Sequence, residues 1–389
     1  MTLVLADAAG AVLGALPPFD VEAPWWQEVG EVVEEARARY GVEVQVLRLL
    51  EADRPAPPGG RLSYLAEVAE PPAAALWPAE VDPTPEPLRA PYAVPGGPAR
   101  SVAWALEQLG RPGAVAVQQR TWNLSAIWRL DANGGPVAWL KQVPLMFAHE
   151  AAVLPLVAEF APHLVPRLLA AGDAGRMLLA HVPGEDRYGA GAGFCAAVSR
   201  DFHPAQVYFT GRVDDLLAAG VPDRRFDADR FARVAEPFLG RLVGLGRLLD
   251  ELPRRLVAID LCGLPDTLVH GDLHPGNVRS DGAVRVIVDW GDSSVAHPGY
   301  DILRLTERLP AGEAAALIAD WAARWRQTDS SCDPERAVAL LRPVAELRAA
   351  AAYADFLDHI EPAERPYHKA DVPDRLAAAV AAADRTVET

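Results

Sequence analysis

The sequence HGDLHPGN occupies residues 270–277, ahead of the apolar run VIV at 286–288 and Asp289. Asp272 and Asn277 lie five positions apart in a predicted tight loop, so one side chain can face an acceptor hydroxyl while the other faces a metal ion. Asp289 follows Asn277 by 12 positions, at the end of a predicted strand, and offers another of the hard oxygen ligands that Mg²⁺ prefers. Phosphoryl transfer needs positioned groups and metal ligands more than covalent chemistry from the protein, so this spacing predicts a phosphotransferase.

A zinc-dependent hydrolase is the alternative chemistry for the same residues. His270, Asp272, His274 and Asp289 are all residue types that bind zinc, and ligands two and four positions apart do occur. That hypothesis leaves the segment PGN at 275–277 without a role, and it also leaves the lysine-bearing strands upstream unexplained. A polar turn before a strand, with no catalytic role, is the plainest interpretation, but it accounts poorly for eight loop residues and a downstream aspartate that agree together.

The loop, together with VDW at 288–290, resembles the catalytic loop of the aminoglycoside phosphotransferase and choline kinase family. The resemblance covers about residues 115–380 and implies a bilobal α+β fold like that of protein kinases. It implies that Asp272 is the catalytic base, that His270 orients the loop, and that Asn277 and Asp289 bind Mg²⁺. Asp301, in GYDI at 299–302, matches an acidic position with a structural role in that family.

Lysine is rare in this chain: of 37 basic residues, only Lys141 and Lys369 are lysines. A lysine kept against that bias is a candidate for a role that suits a compact ammonium, such as contact with phosphate oxygens. By the resemblance, Lys141 occupies the position on the third strand that contacts the nucleotide phosphates. Glu150 matches its usual partner on the next helix; Pro155 could kink or start that helix, which leaves Glu159 as a second candidate.

The remaining nucleotide contacts are predicted from a turn and a hinge. No GxGxxG loop is present; the turn NLS at 123–125 offers backbone amides and the Ser125 hydroxyl to phosphate, although a tight turn alone would have the same sequence. The segment LLAHVPG at 178–184 resembles the hinge of the family, where the backbone of Ala180 and Val182 would bind adenine. We therefore expect ATP and Mg²⁺ as the cofactors.

Composition and charge narrow the class of protein. Half of the 389 residues are hydrophobic and 23% are charged, as in ordinary globular proteins, and the net charge of −16 argues against nucleic-acid binding. Neither a membrane span nor a signal peptide is indicated, so a cytoplasmic location is expected. The three cysteines fit neither a disulfide framework nor a zinc cluster, and we expect them to be buried.

Three regions are predicted along the chain. Residues 1–90 read as a small α+β unit with a cap or interaction role, and the proline-rich stretch at 71–98 reads as a stiff linker. Within the unit, residues 25–40 are predicted to form a helix and residues 42–50, where valines alternate at 42, 44 and 46, a strand. Residues 99–182, with the turn signal NGG at 133–135, are predicted to form a β-rich lobe, and residues 183–389 an α-rich lobe. The first region falls outside the family resemblance.

The sequence also leads to an expectation about the acceptor. We expect a small molecule with a hydroxyl group, such as an aminoglycoside, an amino sugar or a related sugar; the oligomeric state is left open. An acidic stretch that includes Asp355, Glu361 and Asp371 could bind the acceptor. Alternatively, an insertion at 186–226, which contains Tyr188, could form a wall of the acceptor pocket. A nucleotide-binding regulatory module without catalysis is the competing function.

Overall fold

The computed structural model describes residues 1–22, 25–54, 60–82 and 84–387. The chain forms two compact units. The first contains residues 1–148, 168–181 and 357–368, and the second contains residues 149–167, 182–356 and 369–389. Each unit is described by itself below.

Two β-sheets form most of the first unit. One has four strands in the order β2-β1-β4-β3 and the other has five in the order β5-β6-β7-β9-β8. The strands are β1 (Thr2–Ala6), β2 (Val12–Ala15), β3 (Gln45–Ala52), β4 (Leu62–Glu67), β5 (Val115–Trp122), β6 (Ser125–Ala132), β7 (Gly135–Gln142), β8 (Leu168–Ala171) and β9 (Arg176–Ala180). The helices of this unit are α1 (Gly30–Tyr40), α2 (Gly97–Leu109) and the short α11 (Arg365–His368).

Helix α1 and the four-stranded sheet share a core. The alternation of Val42, Val44 and Val46 follows the period of two that the sequence shows, and all three side chains are buried. The predicted helix at 25–40 begins only at Gly30, and the predicted strand at 42–50 is observed at Gln45–Ala52. Gly41, with φ of 66°, ends α1 in a left-handed cap, so the chain needs several residues before it can enter the sheet.

A buried glutamine joins the two sheets of the first unit. The Gln118 side chain, on edge strand β5, accepts a hydrogen bond from the Val46 backbone N–H (2.7 Å) and donates one to the Val46 carbonyl (2.8 Å). Val46 lies on edge strand β3, so the amide of Gln118 takes the place of a neighbouring strand there. No local sequence pattern indicates this junction, because Gln118 and Val46 are 72 positions apart.

The five-stranded sheet is built from short turns. Asn133 and Gly134, both with positive φ, connect β6 to β7, as the Asn-Gly-Gly sequence predicted. The antiparallel register places Lys141 on β7 opposite Ile127 on β6 and Met177 on β9. Lys141 therefore occupies the middle of a three-strand section of the sheet.

Helices dominate the second unit. They are α3 (Glu150–Phe160), α4 (Ala192–Thr210), α5 (Val213–Ala218), α6 (Ala228–Ala235), α7 (Leu245–Asp260), α8 (Gly299–Thr306), α9 (Ala311–Thr328) and α12 (Asp371–Val387), with most of α10 (Pro334–Asp358). Its short strands are β10 (Glu185–Asp186), β11 (Thr267–Val269), β12 (Val278–Ser280), β13 (Arg285–Ile287) and β14 (Ser294–Ala296). A β-rich first unit and a helical second unit give the α+β class that the sequence predicted.

The structure bears on the local predictions for helix α3 and for the cysteines. Helix α3 begins at Glu150 and continues through Pro155, so the proline does not start the helix. All three cysteines are buried and unpaired, as expected. The division into three regions stays a prediction, and Pro83 of the predicted linker lies outside the described residues. Within the described part of the chain, no helix has both the length and the apolar character that crossing a bilayer requires.

Candidate active site

A β-hairpin brings Asn277 and Asp289 to the same place. Strands β12 and β13 pair with Val278 opposite Ile287, so the residues just outside the pair, Asn277 and Val288, also face each other. The Val288 N–H donates to the Asn277 carbonyl at 2.9 Å, and Asp289 follows directly. The 12-residue separation in the sequence is thereby closed by the hairpin.

The carboxylate of Asp272 lies in the loop before this hairpin and is held from several sides. Its Oδ1 accepts from Arg304 Nε at 2.7 Å, and its Oδ2 accepts from Asn277 Nδ2 at 3.2 Å and lies 3.4 Å from His274 Nε2. Burial alone would raise the pKa of Asp272, but the hydrogen bond from His274 and the charge of Arg304 outweigh it and hold the pKa well below its usual range. The carboxylate is ionised near neutrality, and about a third of the side chain (35%) remains exposed for a substrate.

His270 holds the loop from inside. Its Nε2–H donates to the Val288 carbonyl at 3.0 Å, and its Nδ1 accepts from the Asp272 N–H at 3.3 Å. Burial lowers the pKa of this fully buried imidazole to about 4, so it is neutral, with the proton on Nε2. Both ring nitrogens are engaged by the main chain, so the zinc-ligand role considered for His270 does not fit this geometry, whereas the loop-orienting role does.

Asp301 secures the same loop through its backbone. One carboxylate oxygen accepts from the His270 N–H (2.9 Å) and from Gln206 Nε2 (3.1 Å), and the other accepts from the Gly271 N–H (3.0 Å). Burial raises the pKa of Asp301 to about 6, although both backbone hydrogen bonds act in the opposite direction. Gly271 has a φ of 86°, and a Cβ there would lie 2.2 Å from the Asp292 carbonyl oxygen, so glycine is required at this turn.

Asp289 adopts an uncommon backbone conformation. Its φ of 64° lies in the left-handed region, which costs a non-glycine residue about 1 kcal/mol or more. The next residue, Trp290, is fully buried; its Nε1–H donates to the Ile287 carbonyl (2.9 Å), and its backbone N–H donates to Glu150 Oε1 (3.2 Å). Trp290 and Glu150 therefore hold the strained turn in place. Strain maintained at this cost is typical of functional sites.

The donor set suits Mg²⁺. Asn277 Nδ2 donates to the backbone carbonyl of Asp272 at 3.0 Å and to its carboxylate, which fixes the amide and leaves Oδ1 as its acceptor atom. Mg²⁺ is commonly held by one or two protein oxygens together with substrate phosphates. Across the described ranges, no three His, Cys, Asp or Glu side chains gather at one point as metal ligands. Asn277 and Asp289 stay the predicted ligands of Mg²⁺.

The predicted nucleotide contacts lie elsewhere in the chain. Lys141 belongs to the first unit and is 8% exposed, whereas Glu150 belongs to the second unit and is 1% exposed. The pairing of Lys141 with Glu150 stays a prediction. Glu159, the second candidate, is exposed. Ala180 ends β9 opposite Ala138. Val182 begins the next segment, and its carbonyl accepts from Arg279 Nε at 3.2 Å.

The turn at 123–125 is engaged by residues of its own unit. The Ser125 hydroxyl accepts from Trp122 Nε1 at 3.0 Å, the Asn123 N–H donates to Glu364 Oε2 at 3.3 Å, and Asn123 Oδ1 accepts from the Glu361 N–H at 3.0 Å. These contacts occupy groups that the sequence analysis assigned to phosphate. A carboxylate beside the turn also disfavours a second anion there.

Glu364 gives the first unit a pH dependence that a variant can reveal. Burial raises its pKa to about 7, so the folded chain binds more protons than the unfolded chain between its ordinary value near 4.5 and pH 7. The wild-type free energy of unfolding should therefore fall across this window as pH rises and should no longer change from this source above it. Relative to the wild type, we expect Glu364→Gln to gain about 3 kcal/mol between pH 4.5 and pH 8 in urea unfolding.

Glu107→Gln is the matched control, because Glu107 is an exposed carboxylate of the same unit. A constant difference between Glu364→Gln and the wild type across this pH range would contradict the assignment.

Two contacts of Asp272 were missed from the sequence. His274 was considered only as a zinc ligand, and Arg304 was one arginine among many. The signal available was the spacing of Asp301 and Arg304, which lie three positions apart on α8 and so face the same side. Since Asp301 was already assigned to the loop, Arg304 could have been placed near Asp272.

The acidic stretch offered for the acceptor is already engaged in part. Asp355 accepts hydrogen bonds from Arg230 and forms an ion pair with Arg224 (3.2 Å). Glu361 accepts two hydrogen bonds from Arg89, both at 3.1 Å, within the first unit. Tyr353, two positions before Asp355, has its pKa raised by burial and by the charges of Asp371 and Asp272.

Comparisons with known proteins identify the family of the chain. The model of the phosphotransferase enzyme family matches residues 126–337, which is more than half of the chain and includes the loop and the hairpin. No curated protein matches the chain significantly.

Solved structures of similar fold include an aminoglycoside 2′-phosphotransferase-IIIa bound to GDP (TM-score 0.50, 15% identity, covering 73% of this chain and 98% of that one). They also include choline kinase from Cryptosporidium parvum (TM-score 0.52, 12% identity, covering 74% and 96%). A third is the GDP and kanamycin complex of APH(2″)-IIIa (TM-score 0.50, 13% identity, covering 75% and 99%).

The fold and the site define a small-molecule kinase with a kinase-like α+β architecture. The chain belongs to the phosphotransferase enzyme family, as the sequence resemblance predicted.

Proposed function

We propose that the protein transfers the γ-phosphoryl group of Mg-ATP to a hydroxyl group of a small molecule. The observation that carries this proposal is the ionised, partly exposed carboxylate of Asp272, fixed beside Asn277 in a loop anchored by His270 and Asp301. The carboxylate has both the charge state and the accessibility that an accepting group needs.

Asp272 is the residue of the loop that acts on the acceptor hydroxyl. Asp272 orients the acceptor hydroxyl and receives its proton as the hydroxyl oxygen bonds to the γ-phosphorus. The bond from phosphorus to the β,γ-bridging oxygen breaks, and its electron pair leaves with the nucleoside diphosphate. Because the transition state of phosphoryl transfer is loose, a carboxylate of low pKa is sufficient for this role.

Asn277 and Asp289 would hold Mg²⁺, which supplies positive charge to the phosphate oxygens. Asn277 also donates a hydrogen bond from Nδ2 to the Asp272 carboxylate, so the proposed metal ligand is in direct contact with the proposed base. Lys141, with Glu150 as its predicted partner, is the proposed cation for the α- and β-phosphates, and the backbone of Ala180 and Val182 is the proposed adenine contact. The hydroxyl of Ser125 already accepts a hydrogen bond, which makes it the weakest of the proposed phosphate contacts.

The direct test is acceptor-dependent release of nucleoside diphosphate by the full chain. ATP and GTP are supplied in turn with Mg²⁺ and a panel of aminoglycosides, amino sugars, neutral sugars, sugar acids, sugar phosphates and choline, and the product is identified by ³¹P NMR. We expect at least one acceptor to be phosphorylated and EDTA to stop the reaction. Nucleotide binding without turnover on any panel member would instead favour the regulatory module.

A further inference from the structure

A pocket in the second unit opens beside the catalytic carboxylate. Its volume is about 290 Å³, and its lining includes Tyr188, His274, Arg304 and Arg308. Two of these residues contact Asp272 directly: Arg304 Nε lies 2.7 Å from one carboxylate oxygen, and His274 Nε2 lies 3.4 Å from the other. A molecule in this pocket therefore lies against two residues that hold the carboxylate of Asp272.

The charged residues that line this pocket are both arginines. Arg304 and Arg308 lie four positions apart, on α8 and just after it, and no carboxylate is among the lining residues. The remaining lining is mostly apolar or backbone, including Ala190, Cys195 and Leu305. The carboxylates of Asp272 and Glu307 offset the charge of Arg304, so among the described residues Arg308 supplies the positive charge of the lining that no carboxylate balances.

The two arginines differ in their existing partners. Arg304 is paired with Asp272 and Glu307. Arg308 is exposed and lies over the ring of Tyr188, with its guanidinium carbon 4.5 Å from the ring centroid, and among the residues that the structure describes it has no carboxylate within ion-pair distance. A guanidinium held by an aromatic ring at the wall of a pocket can bind a planar or tetrahedral anion through two parallel hydrogen bonds.

An acceptor rich in amines does not suit this surface. Kanamycin, present in one of the similar structures, carries several ammonium groups, and these would lie against two guanidinium groups here. Asp355, which the sequence offered for the acceptor, is not among the lining residues and is already paired with Arg224 and Arg230. The charge of the pocket thus points away from the aminoglycosides and amino sugars expected from the sequence.

We propose that the acceptor carries an anionic group, a carboxylate or a phosphate, which Arg308 binds together with Arg304 while the reacting hydroxyl faces Asp272. This inference rests on the proposed function and specifies its substrate class.

Protection of the arginine tests anion binding without any knowledge of the acceptor. The full chain is treated with phenylglyoxal in chloride, acetate or inorganic phosphate at equal ionic strength, and modification is measured peptide by peptide by mass spectrometry. We expect acetate or phosphate to slow modification of Arg308 about threefold or more relative to chloride. Arg254, exposed on α7 of the same unit, is the internal control and should be modified at one rate throughout.

Matched sugars test the consequence for the reaction. Glucose, glucosamine, glucuronate and glucose 6-phosphate share one ring and differ in charge, and the last two separate the carboxylate from the phosphate as the anionic source. We expect binding or kcat/KM for one of the two anions to exceed the value for glucose by about 10- to 100-fold. Arg308→Gln should abolish that preference, Arg308→Lys should retain part of it, and Arg254→Gln should leave it unchanged.

The outcomes separate this inference from the proposed function. Anion protection of Arg308 without phosphorylation of any sugar would support the pocket assignment while the phosphotransferase proposal fails on this panel. Turnover of glucose or glucosamine that Arg308→Gln does not change would support the phosphotransferase and overturn the anionic acceptor. Equal modification of Arg308 in all three anions would also overturn the inference, whatever the sugars show.

Discussion

Asp272→Asn is expected to reduce turnover by about 10²- to 10⁴-fold, because the amide cannot receive the proton of the acceptor hydroxyl. The substitution keeps the size of the side chain, and its amide oxygen can still accept from Arg304, which now lies 2.7 Å from the carboxylate. We therefore expect the fold and the affinity for Mg-nucleotide to change little. Single-turnover rates and nucleotide titrations of the purified variant measure the two quantities separately.

The control for this experiment is Asp281→Asn, which alters an exposed aspartate in the turn between β12 and β13. That variant should retain wild-type turnover, since the Asp281 carboxylate accepts hydrogen bonds from the Ala283 and Val284 N–H groups of its own turn. If Asp272→Asn turned over acceptor at the wild-type rate, Asp272 would have no part in the proton transfer, and the proposed mechanism would be wrong.

Asp301→Ala is expected to have the second large effect, on both stability and turnover. The carboxylate accepts three hydrogen bonds, two of them from the backbone of the catalytic loop. Removing it leaves buried donors without partners, and we expect a loss of about 2 to 5 kcal/mol in the free energy of unfolding. Turnover should fall at least tenfold at temperatures where the variant remains folded, because His270 and Gly271 lose the group that holds them.

Gln206→Leu separates the two effects of Asp301. It removes the third hydrogen bond of the same carboxylate but leaves the bonds to the loop backbone intact. We expect it to cost stability with a smaller loss of turnover. Should Gln206→Leu and Asp301→Ala reduce turnover equally at matched stability, the loop contacts of Asp301 would have no special role in catalysis.

The sequence predicted the elements of the fold well wherever the local signals were strong. The Asn-Gly-Gly turn, the alternating valines of β3 and the VIV run before Asp289 each have a direct local cause, namely turn conformation or side-chain period. The start of α1 was placed five residues early, because apolar spacing continues before Gly30 and the sequence does not show where the backbone leaves the helix.

Contacts between distant residues were the part that sequence reasoning could not reach. Nothing local to Gln118 indicates that its side chain replaces a strand partner for Val46, 72 positions earlier. Glu364 beside Asn123 is a similar case, because the two residues are 241 positions apart. Without aligned relatives, such pairs cannot be found from patterns of period or propensity, which report only local structure.

The candidate site shows the same division. The catalytic roles proposed for Asp272, Asn277 and Asp289 could be predicted from their spacing, because these residues are close in sequence and their chemistry is specific. Arg304, one of the partners that keep Asp272 ionised, lies 32 positions away in the sequence. Arginine is also common in this chain, so nothing in the sequence marks Arg304 as special. The sequence therefore indicated neither the charge of the neighbouring pocket nor the sign of the charge that we propose for the acceptor.

The return of residues 357–368 to the first unit has a consequence for biosynthesis. That unit also contains residues 1–148, so Glu361 and Glu364 leave the ribosome 238 and 241 residues after Asn123, whose turn they contact. Until then, the turn at Asn123 lacks its carboxylate and backbone partners. Truncation shortly before residue 357 should therefore destabilise the turn at residues 123–125, although the deleted residues lie far from it in the sequence.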